Sequence, residues 1–182
     1  MLKVFCAPAR YTQGLRATEQ LGAEIRALGL DGPAVIVAGR SAIRLLSGTW
    51  SETFAAVEMR HVIFPFGGEC TAAEIRRGCQ AAREANARVV IGAGGGKVLD
   101  TARAIASDLS LPVVNCPTIA SSDAPCSALS VIYAEEGAGR NTASTVANLA
   151  AALRRCNSLP PCASAPKFCD RSWRALKSAI YL

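Results

Sequence analysis

Residues 89–100 read VVIGAGGGKVLD, and this stretch decides the fold. The continuous β-branched run Val89-Val90-Ile91 predicts a strand covered on both faces, and the glycines that follow predict a turn into a helix. Because glycine has no Cβ, a pyrophosphate can approach the amide donors at the helix N-terminus, where the dipole favours an anion. The residues alone leave a plain strand-to-helix turn open as the alternative.

Two well-known phosphate-binding motifs do not fit this loop. A P-loop needs four residues between its glycines and Ser or Thr after the lysine, whereas Gly92 and Gly96 enclose three residues and Val98 follows Lys97. The Rossmann fingerprint needs glycine where Lys97 stands. The loop is therefore of a different kind.

On both sides of the loop, apolar runs of strand length alternate with stretches of helical period. This alternation predicts an α/β fold, a Rossmann-like parallel sheet with flanking helices. The predicted strands are 3–6, 34–38, 62–65, 88–92 and 112–116, and the predicted helices are 14–28, 41–46, 71–86 and 97–109. Thr71 and Glu74 have the spacing of a capping box, which places a helix start just after Gly67-Gly68.

Length and composition favour one globular core. The chain has 182 residues, of which 51% are hydrophobic and 19% charged, with a mean hydropathy of +0.24. This is too apolar for a disordered chain, and the sequence has no unbroken apolar run of membrane-spanning length. The start shows no charged segment followed by an apolar one, so we expect a cytoplasmic protein that does not insert in a membrane.

The net charge of +6 belongs to the C-terminal segment. Residues 141–182 carry six Lys or Arg and one Asp, and they are rich in Ala, Ser, Pro and Cys. We therefore expect an α/β domain over 1–139 and an atypical basic tail over 140–182, irregular or partly helical, with a helix over 142–155. A nucleic-acid-binding arm is the weaker alternative, because the tail's aromatic residues are not spaced as a stacking platform.

The eight cysteines predict neither a disulfide scaffold nor a zinc site. They include no Cys-x-x-Cys pair, and His61 is the only histidine. We expect reduced thiols, and a surface or strand-end role for His61.

A second polar segment follows the predicted strand 112–116. Residues 116–133 read CPTIASSDAPCSALSVIY, so hydroxyls and Asp123 would lie at the carboxyl edge of the sheet beside the glycine loop. Open α/β sheets bind their ligands at that edge. Without further information, Asp123 would more simply be a turn or helix-cap residue.

Three segments resemble the glycerol dehydrogenases of the iron-containing (group III) alcohol dehydrogenase superfamily. They are residues 64–70 (FPFGGEC), 94–102 (GGGKVLDTA) and 117–133, and residues 8–14 (PARYTQG) are similar as well. The resemblance covers 1 to about 139. It implies the N-terminal domain of the dehydroquinate synthase-like/iron-containing alcohol dehydrogenase fold, NAD as the cofactor, and oxidation of glycerol or a related small polyol to dihydroxyacetone.

The resemblance also implies a role for individual residues. Asp123 would face the polyol substrate. The expected contacts of the NAD diphosphate, ribose and nicotinamide are Gly94, Gly95, Gly96, Lys97, Val98, Leu99, Asp100, Thr118, Ser121, Ser127, Leu129 and Tyr133. No catalytic residue is assigned.

The chain departs from that family in three ways. Family members bind zinc or another divalent metal through a second, helical domain, and none of those ligands is matched here. The tail resembles none of the family sequence, so we expect either a frameshift product or an alternative C-terminus. Gly39-Arg40 stands where dinucleotide folds often place an acidic residue. Arg40 would suit the 2′-phosphate of NADP and relax or reverse the preference for NAD, and the alternative is a solvated loop arginine.

The function expected from these observations is that of the cofactor-binding half of an NAD-dependent polyol dehydrogenase. A non-catalytic dinucleotide-binding fragment is the alternative. Family members form homo-oligomers, and the sequence leaves the assembly of this chain open.

Overall fold

The computed structural model describes residues 10–119, 124–127 and 129–133, and the backbone of 142–145 and 179–181. A 3-10 turn at Ala17–Gln20 precedes four helices, α1 (Leu21–Ala27), α2 (Arg40–Ala55), α3 (Ala72–Glu84) and α4 (Gly96–Leu109). The strands in the described part are β1 (Tyr11–Gln13), β2 (Ala34–Ala38), β3 (His61–Pro65), β4 (Val89–Gly94), β5 (Val113–Pro117), β6 (Ser130–Tyr133), β7 (Thr142–Thr145) and β8 (Ala179–Tyr181).

The main sheet has the strand order β1-β8-β5-β4-β2-β3. The last four strands in this order, β5, β4, β2 and β3, are parallel, with Ile36 opposite both Ile63 and Ile91, and Ile91 opposite Val114. Strand β8 pairs antiparallel with β1 and with β5. Strands β6 and β7 form a separate antiparallel pair.

Helices cover both faces of the parallel sheet. On one face, Leu21 and Ile25 of α1 and Trp50 and Phe54 of α2 pack against Ile36. On the other face, side chains of α3 and α4 pack against the alternate residues of β2, Val35 and Val37. The helix side chains include Ile75, Cys79, Ala102 and Ile105. Burial on both faces explains why β2 and β4 are apolar along their whole length, since every position of each strand is buried.

The expected α/β architecture with a parallel sheet is confirmed. The strand predicted over 34–38 is observed at those residues, and β3, β4 and β5 each lie within two residues of their predicted bounds. Helices α3 and α4 also match their predictions closely.

Helix α2 is longer than the predicted 41–46, because it continues through Gly48 to bury Trp50 and Phe54 completely. The helix predicted over 14–28 divides into the 3-10 turn and α1. The strand predicted over 3–6 lies outside the described residues.

The helix predicted over 142–155 is wrong in its first turn. Residues 142–145 instead form β7, which pairs antiparallel with β6. Two of these four residues, Thr142 and Thr145, are β-branched and suit a strand, and the pairing supplies hydrogen bonds to the edge of β6. Residues 146–155 lie outside the described part. The predicted irregular or partly helical tail thus also contributes a strand, β8, to the main sheet.

The predicted capping box is half formed. The hydroxyl of Thr71 accepts a hydrogen bond from the amide of Glu74 at 3.2 Å. The Glu74 carboxylate accepts instead from the amide of Gly67 at 2.7 Å, and it pairs with Arg77 at 2.8 Å. Glu74 therefore fixes the turn that precedes α3. Among the described helices, none is long and apolar enough to cross a membrane.

Candidate functional site

The order in which strands are added to the sheet changes direction between β2 and β4. From β2 the chain continues to β3 on one side, and from β4 it continues to β5 on the other side. Strand β2 leads into α2 on one face, and its neighbour β4 leads into α4 on the other face. This arrangement opens a crevice at the carboxyl ends of the two strands, which is where open α/β sheets bind ligands. The glycine loop predicted from the sequence therefore lies at the topological switch point.

Two helix N-termini meet at this crevice. Gly39 is the N-cap of α2 and Gly95 is the N-cap of α4. A glycine has no side chain with which to cap the first amide donors of its helix. The two loops are close, because a Cβ on Gly39 would lie 4.0 Å from Cγ2 of Val98. Adjacent helix dipoles and uncapped amides favour an anion here.

Close packing explains the glycines at positions 92 and 94. A Cβ on Gly92 would lie 2.8 Å from Cβ of Ala102, and a Cβ on Gly94 would lie 2.7 Å from Cγ2 of Val98. The backbone at Gly95 has φ −85° and ψ −176°, which any residue adopts. The sequence predicted that these glycines permit a sharp turn. In the structure, Gly92 and Gly94 instead let α4 pack closely against β4, which brings the first turn of α4 to the edge of the sheet.

Lys97 is the exposed cation beside the loop. Its ammonium pairs with the Glu69 carboxylate at 2.5 Å and lies 5.4 Å from the centre of the Tyr133 ring. The hydrogen bond to Glu69 raises the pKa of Lys97 above its usual value. Lys97 therefore stays protonated at neutral pH and can meet an anion at the helix N-terminus.

The described residues of 118–133, which follow β5, form a wall beside the glycine loop. The amide of Thr118 donates to the carbonyl of Gly94 at 3.0 Å. The Ile119 side chain covers Gly95 so closely that a Cβ there would lie 3.0 Å from Cδ1 of Ile119. Further along, the amide of Tyr133 donates to the carbonyl of Cys70 at 2.8 Å, which joins β6 to the loop before α3.

The structure brings six of the described candidate cofactor residues together at this edge: Gly94, Gly95, Gly96, Lys97, Thr118 and Tyr133. Thr118 is exposed, Leu129 and Tyr133 are 45% and 36% exposed, and the Ser127 hydroxyl accepts from the amide of Leu129 at 3.1 Å. Ser121 and Asp123 lie outside the described residues, so their assignments stay predictions.

Three other candidates turn their side chains inward. Val98 and Leu99 are buried in or against the core at 6% and 0% exposure, and Asp100 is 8% exposed. The Asp100 carboxylate pairs with the buried guanidinium of Arg103. A contact of these residues with a cofactor stays a prediction. Because their side chains are buried, such a contact would be made mainly by their backbone atoms.

Sequence reasoning missed three buried polar side chains that attach the wall to the domain, Arg103, Asn115 and Ser130. The Arg103 guanidinium donates to the carbonyls of Ala124 and Leu129, the latter at 2.8 Å. The Ser130 hydroxyl donates to the carbonyl of Asp100 at 2.9 Å. The available sequence signal was the i,i+3 pair of Asp100 and Arg103 within the predicted helix 97–109, because two charges in a largely apolar stretch need partners if they are buried.

His61 lies far from the crevice. It begins β3 at the amino edge of the sheet, stacks on Phe54 with ring centres 5.1 Å apart, and has a pKa lowered by burial. Within the described residues, no three His, Cys, Asp or Glu side chains are grouped to hold a metal ion. An open cleft at that same amino edge is lined by residues that include Asp31, Arg60 and Arg88.

The described cysteines differ in exposure. Cys70, Cys79 and Cys116 are buried, and Cys126 is exposed in the wall. Burial raises the pKa of the Cys116 thiol to about 12, and it also raises the pKa values of Cys70 and Cys79. The three buried thiols are therefore poor nucleophiles at neutral pH.

The profile of the iron-containing alcohol dehydrogenases matches residues 8–153. A glycerol dehydrogenase from Thermotoga maritima is 42% identical over 137 residues, which are 75% of this chain and 36% of that protein. This chain thus spans little more than a third of the length of that relative.

Two solved structures have the same fold. A probable glycerol dehydrogenase from Sinorhizobium meliloti 1021 superposes with a TM-score of 0.67 and 32% identity, over 80% of this chain and 38% of that one. A sulfoacetaldehyde reductase from Bifidobacterium kashiwanohense, solved in complex with NAD+, gives a TM-score of 0.67 at 18% identity, over 81% of this chain and 44% of that one.

Proposed function

Because this chain belongs to the iron-containing alcohol dehydrogenase family, we propose that it supplies the NAD-binding half of an oxidoreductase that oxidises glycerol or a related small polyol to dihydroxyacetone or the corresponding ketone. Similarity to glycerol dehydrogenases over three quarters of the chain supports the substrate class. The chain spans only part of the length of those relatives. We therefore propose cofactor binding for this chain and catalysis for the whole protein.

One observation carries the proposal. The N-termini of α2 and α4, each begun by a glycine, converge at the switch point between β2 and β4. A dinucleotide diphosphate suits this place, since it carries negative charge and several acceptor oxygens. The lack of a Cβ at Gly94 lets Val98 of α4 pack closely against β4, which brings the first turn of α4 to this place.

The residues of this chain would bind and orient the cofactor. The first amides of α4 would donate to the diphosphate, and the Lys97 ammonium would offset part of its charge. Thr118, Ser127, Leu129 and Tyr133 flank the path towards the nicotinamide ribose, and Asp123 is the proposed polyol contact. A bound NAD would supply the hydride acceptor for oxidation of the secondary alcohol. No step of the proposal uses a metal ion held by the described residues.

Titration of the chain with NADH, followed by cofactor fluorescence, tests the binding step. Lys97→Ala should weaken NADH affinity about 3- to 10-fold, because an exposed charge-assisted contact is worth roughly 0.7–1.4 kcal/mol. Glu69→Gln should keep or raise the affinity, since it releases Lys97 from its carboxylate partner. Arg60→Ala is the matched control, because it removes the same charge at the opposite edge of the sheet.

NAD reduction with glycerol and added Zn²⁺ separates the two functions expected from the sequence. Turnover supports the dehydrogenase, whereas NADH binding without turnover favours a non-catalytic dinucleotide-binding fragment. If the chain does not bind NADH at all, or if Arg60→Ala weakens binding as much as Lys97→Ala does, the proposed cofactor site is wrong.

A further inference from the structure

Four hydrogen bonds, two buried and two partly buried, fasten the wall segment 124–130 to the domain beneath it. Arg103 of α4 is 1% exposed and donates to the carbonyls of Ala124 and Leu129. Asn115 of β5 is 6% exposed and donates to the carbonyl of Pro125 at 2.9 Å. Ser130 supplies the fourth bond by donating to the carbonyl of Asp100. Three of the bonds hold main-chain carbonyls of the wall, and the fourth ties the Ser130 side chain to α4, so together they fasten the described residues of this segment to the domain.

The arginine is the centre of this arrangement. Its guanidinium spans two wall carbonyls that are five residues apart in sequence, and it pairs with the Asp100 carboxylate one helical turn earlier on α4. A buried charge is costly without partners, and these three acceptors compensate it. A planar guanidinium can donate in several directions at once, which a lysine ammonium does with poorer geometry.

The same helix carries the proposed diphosphate site at its other end. Arg103 lies six residues after Lys97, which is roughly 9 Å along a helix axis. Arg103 thus ties the wall to the same helix whose first turn carries the proposed diphosphate site. A shift of the wall would leave the amides of α4 in place and would move Ser127 and Leu129.

We propose that Arg103, assisted by Asn115, is a positioning residue that holds the 124–130 wall in place to receive the nicotinamide-ribose end of the cofactor. This inference rests on the proposed function. It separates the crevice into a diphosphate part, which is independent of Arg103, and a nicotinamide part, which depends on it.

The separation can be measured by comparing ADP with NADH, because ADP lacks the nicotinamide and its ribose. Calorimetric titration of the full chain should show that Arg103→Met binds NADH about tenfold more weakly and ADP within twofold of the original chain. Arg103→Lys should recover part of the NADH affinity. Asn115→Leu removes one wall bond at similar volume without unpairing a charge, and it should show the same pattern if Arg103→Met fails to fold.

Hydrogen exchange of the ligand-free chain supplies a second readout. In Arg103→Met and Asn115→Leu, amides of 124–130 should exchange at least tenfold faster, while those of β2 and β4 keep their protection. Equal losses of ADP and NADH affinity, or unchanged exchange of the wall, would overturn the inference. If the original chain binds neither nucleotide, the proposed function fails, and the exchange result still decides whether Arg103 holds the wall.

Discussion

Gly94→Ala should damage both the stability of the chain and its cofactor site. The added Cβ would lie 2.7, 2.8 and 3.0 Å from Cγ2, Cβ and Cγ1 of Val98, whereas ordinary contacts begin at 3.4 Å. Rotating the Val98 side chain moves its two methyl groups and leaves its Cβ in place. Helix α4 must therefore retreat from β4 by about 0.6 Å, and such overpacking costs about 1–3 kcal/mol.

That retreat carries the first amides of α4 away from the position that a diphosphate would occupy. A misplacement of about 1 Å can cost roughly 100-fold in a site that depends on geometry, so a shift of about 0.6 Å should cost NADH affinity roughly tenfold. The assays are urea unfolding and NADH titration of the same preparation.

Gly48→Ala is the control for this substitution. Gly48 lies within α2, and a Cβ there would have nothing within 4 Å. The change should raise the free energy of unfolding by about 0.5–1 kcal/mol and leave NADH binding unchanged. If Gly94→Ala unfolds and binds NADH like the original chain, the close approach of α4 to β4 does not shape the site.

Four other results are expected. With Arg40 at the first turn of α2, NADPH should bind at least as well as NADH, and Arg40→Asp should shift the preference towards NADH about tenfold; a preference for NADH that Arg40→Asp leaves unchanged would contradict this. Iodoacetamide at pH 8 should modify Cys126 before the buried Cys116, as mass spectrometry can show. Because burial raises the pKa of Cys116 from its ordinary value of 9.0 to about 12, stability should fall as pH rises from about 9 towards 12, less steeply in Cys116→Ala. Thr71→Ala should lower the free energy of unfolding by about 1 kcal/mol, whereas Thr71→Ser should keep the cap.

The parallel core was predictable because its strands are buried on both faces. Val35-Ile36-Val37 and Val89-Val90-Ile91 are apolar at every position, and the helices between them have clear caps or glycine starts. Boundaries were less predictable where packing overrides local preference. Helix α2 continues past Gly48 because Trp50 and Phe54 complete the core, which no local signal in residues 41–46 indicates.

The glycine loop was predictable as a strand-to-helix junction, but the reason for its glycines was not. The sequence suggests conformational freedom, whereas the structure gives Gly92 and Gly94 a packing role against Ala102 and Val98. The placement of α2 and α4 on opposite faces at the switch point depends on the order of the strands in the sheet. That order follows from the path of the whole chain and not from any local segment.

The wall was found by its hydroxyl-rich sequence, and the side chains that hold it were not. Arg103 and Asn115 donate hydrogen bonds to main-chain carbonyls of a segment that is distant in sequence. Every residue has a main-chain carbonyl, so the sequence does not indicate which ones accept these bonds. The pairing of Asp100 with Arg103 at i,i+3 on a buried helix was the only local sign of this support.

Amide chemical shifts recorded during titration with NAD test the location of the cofactor most directly. The largest changes should fall on Gly95, Gly96, Lys97 and Thr118, at the carboxyl ends of β4 and β5. Residues at the opposite edge, such as Arg60 and Arg88, should change little. Shifts concentrated at that opposite edge, or none at saturating NAD, would contradict a dinucleotide site at the switch point.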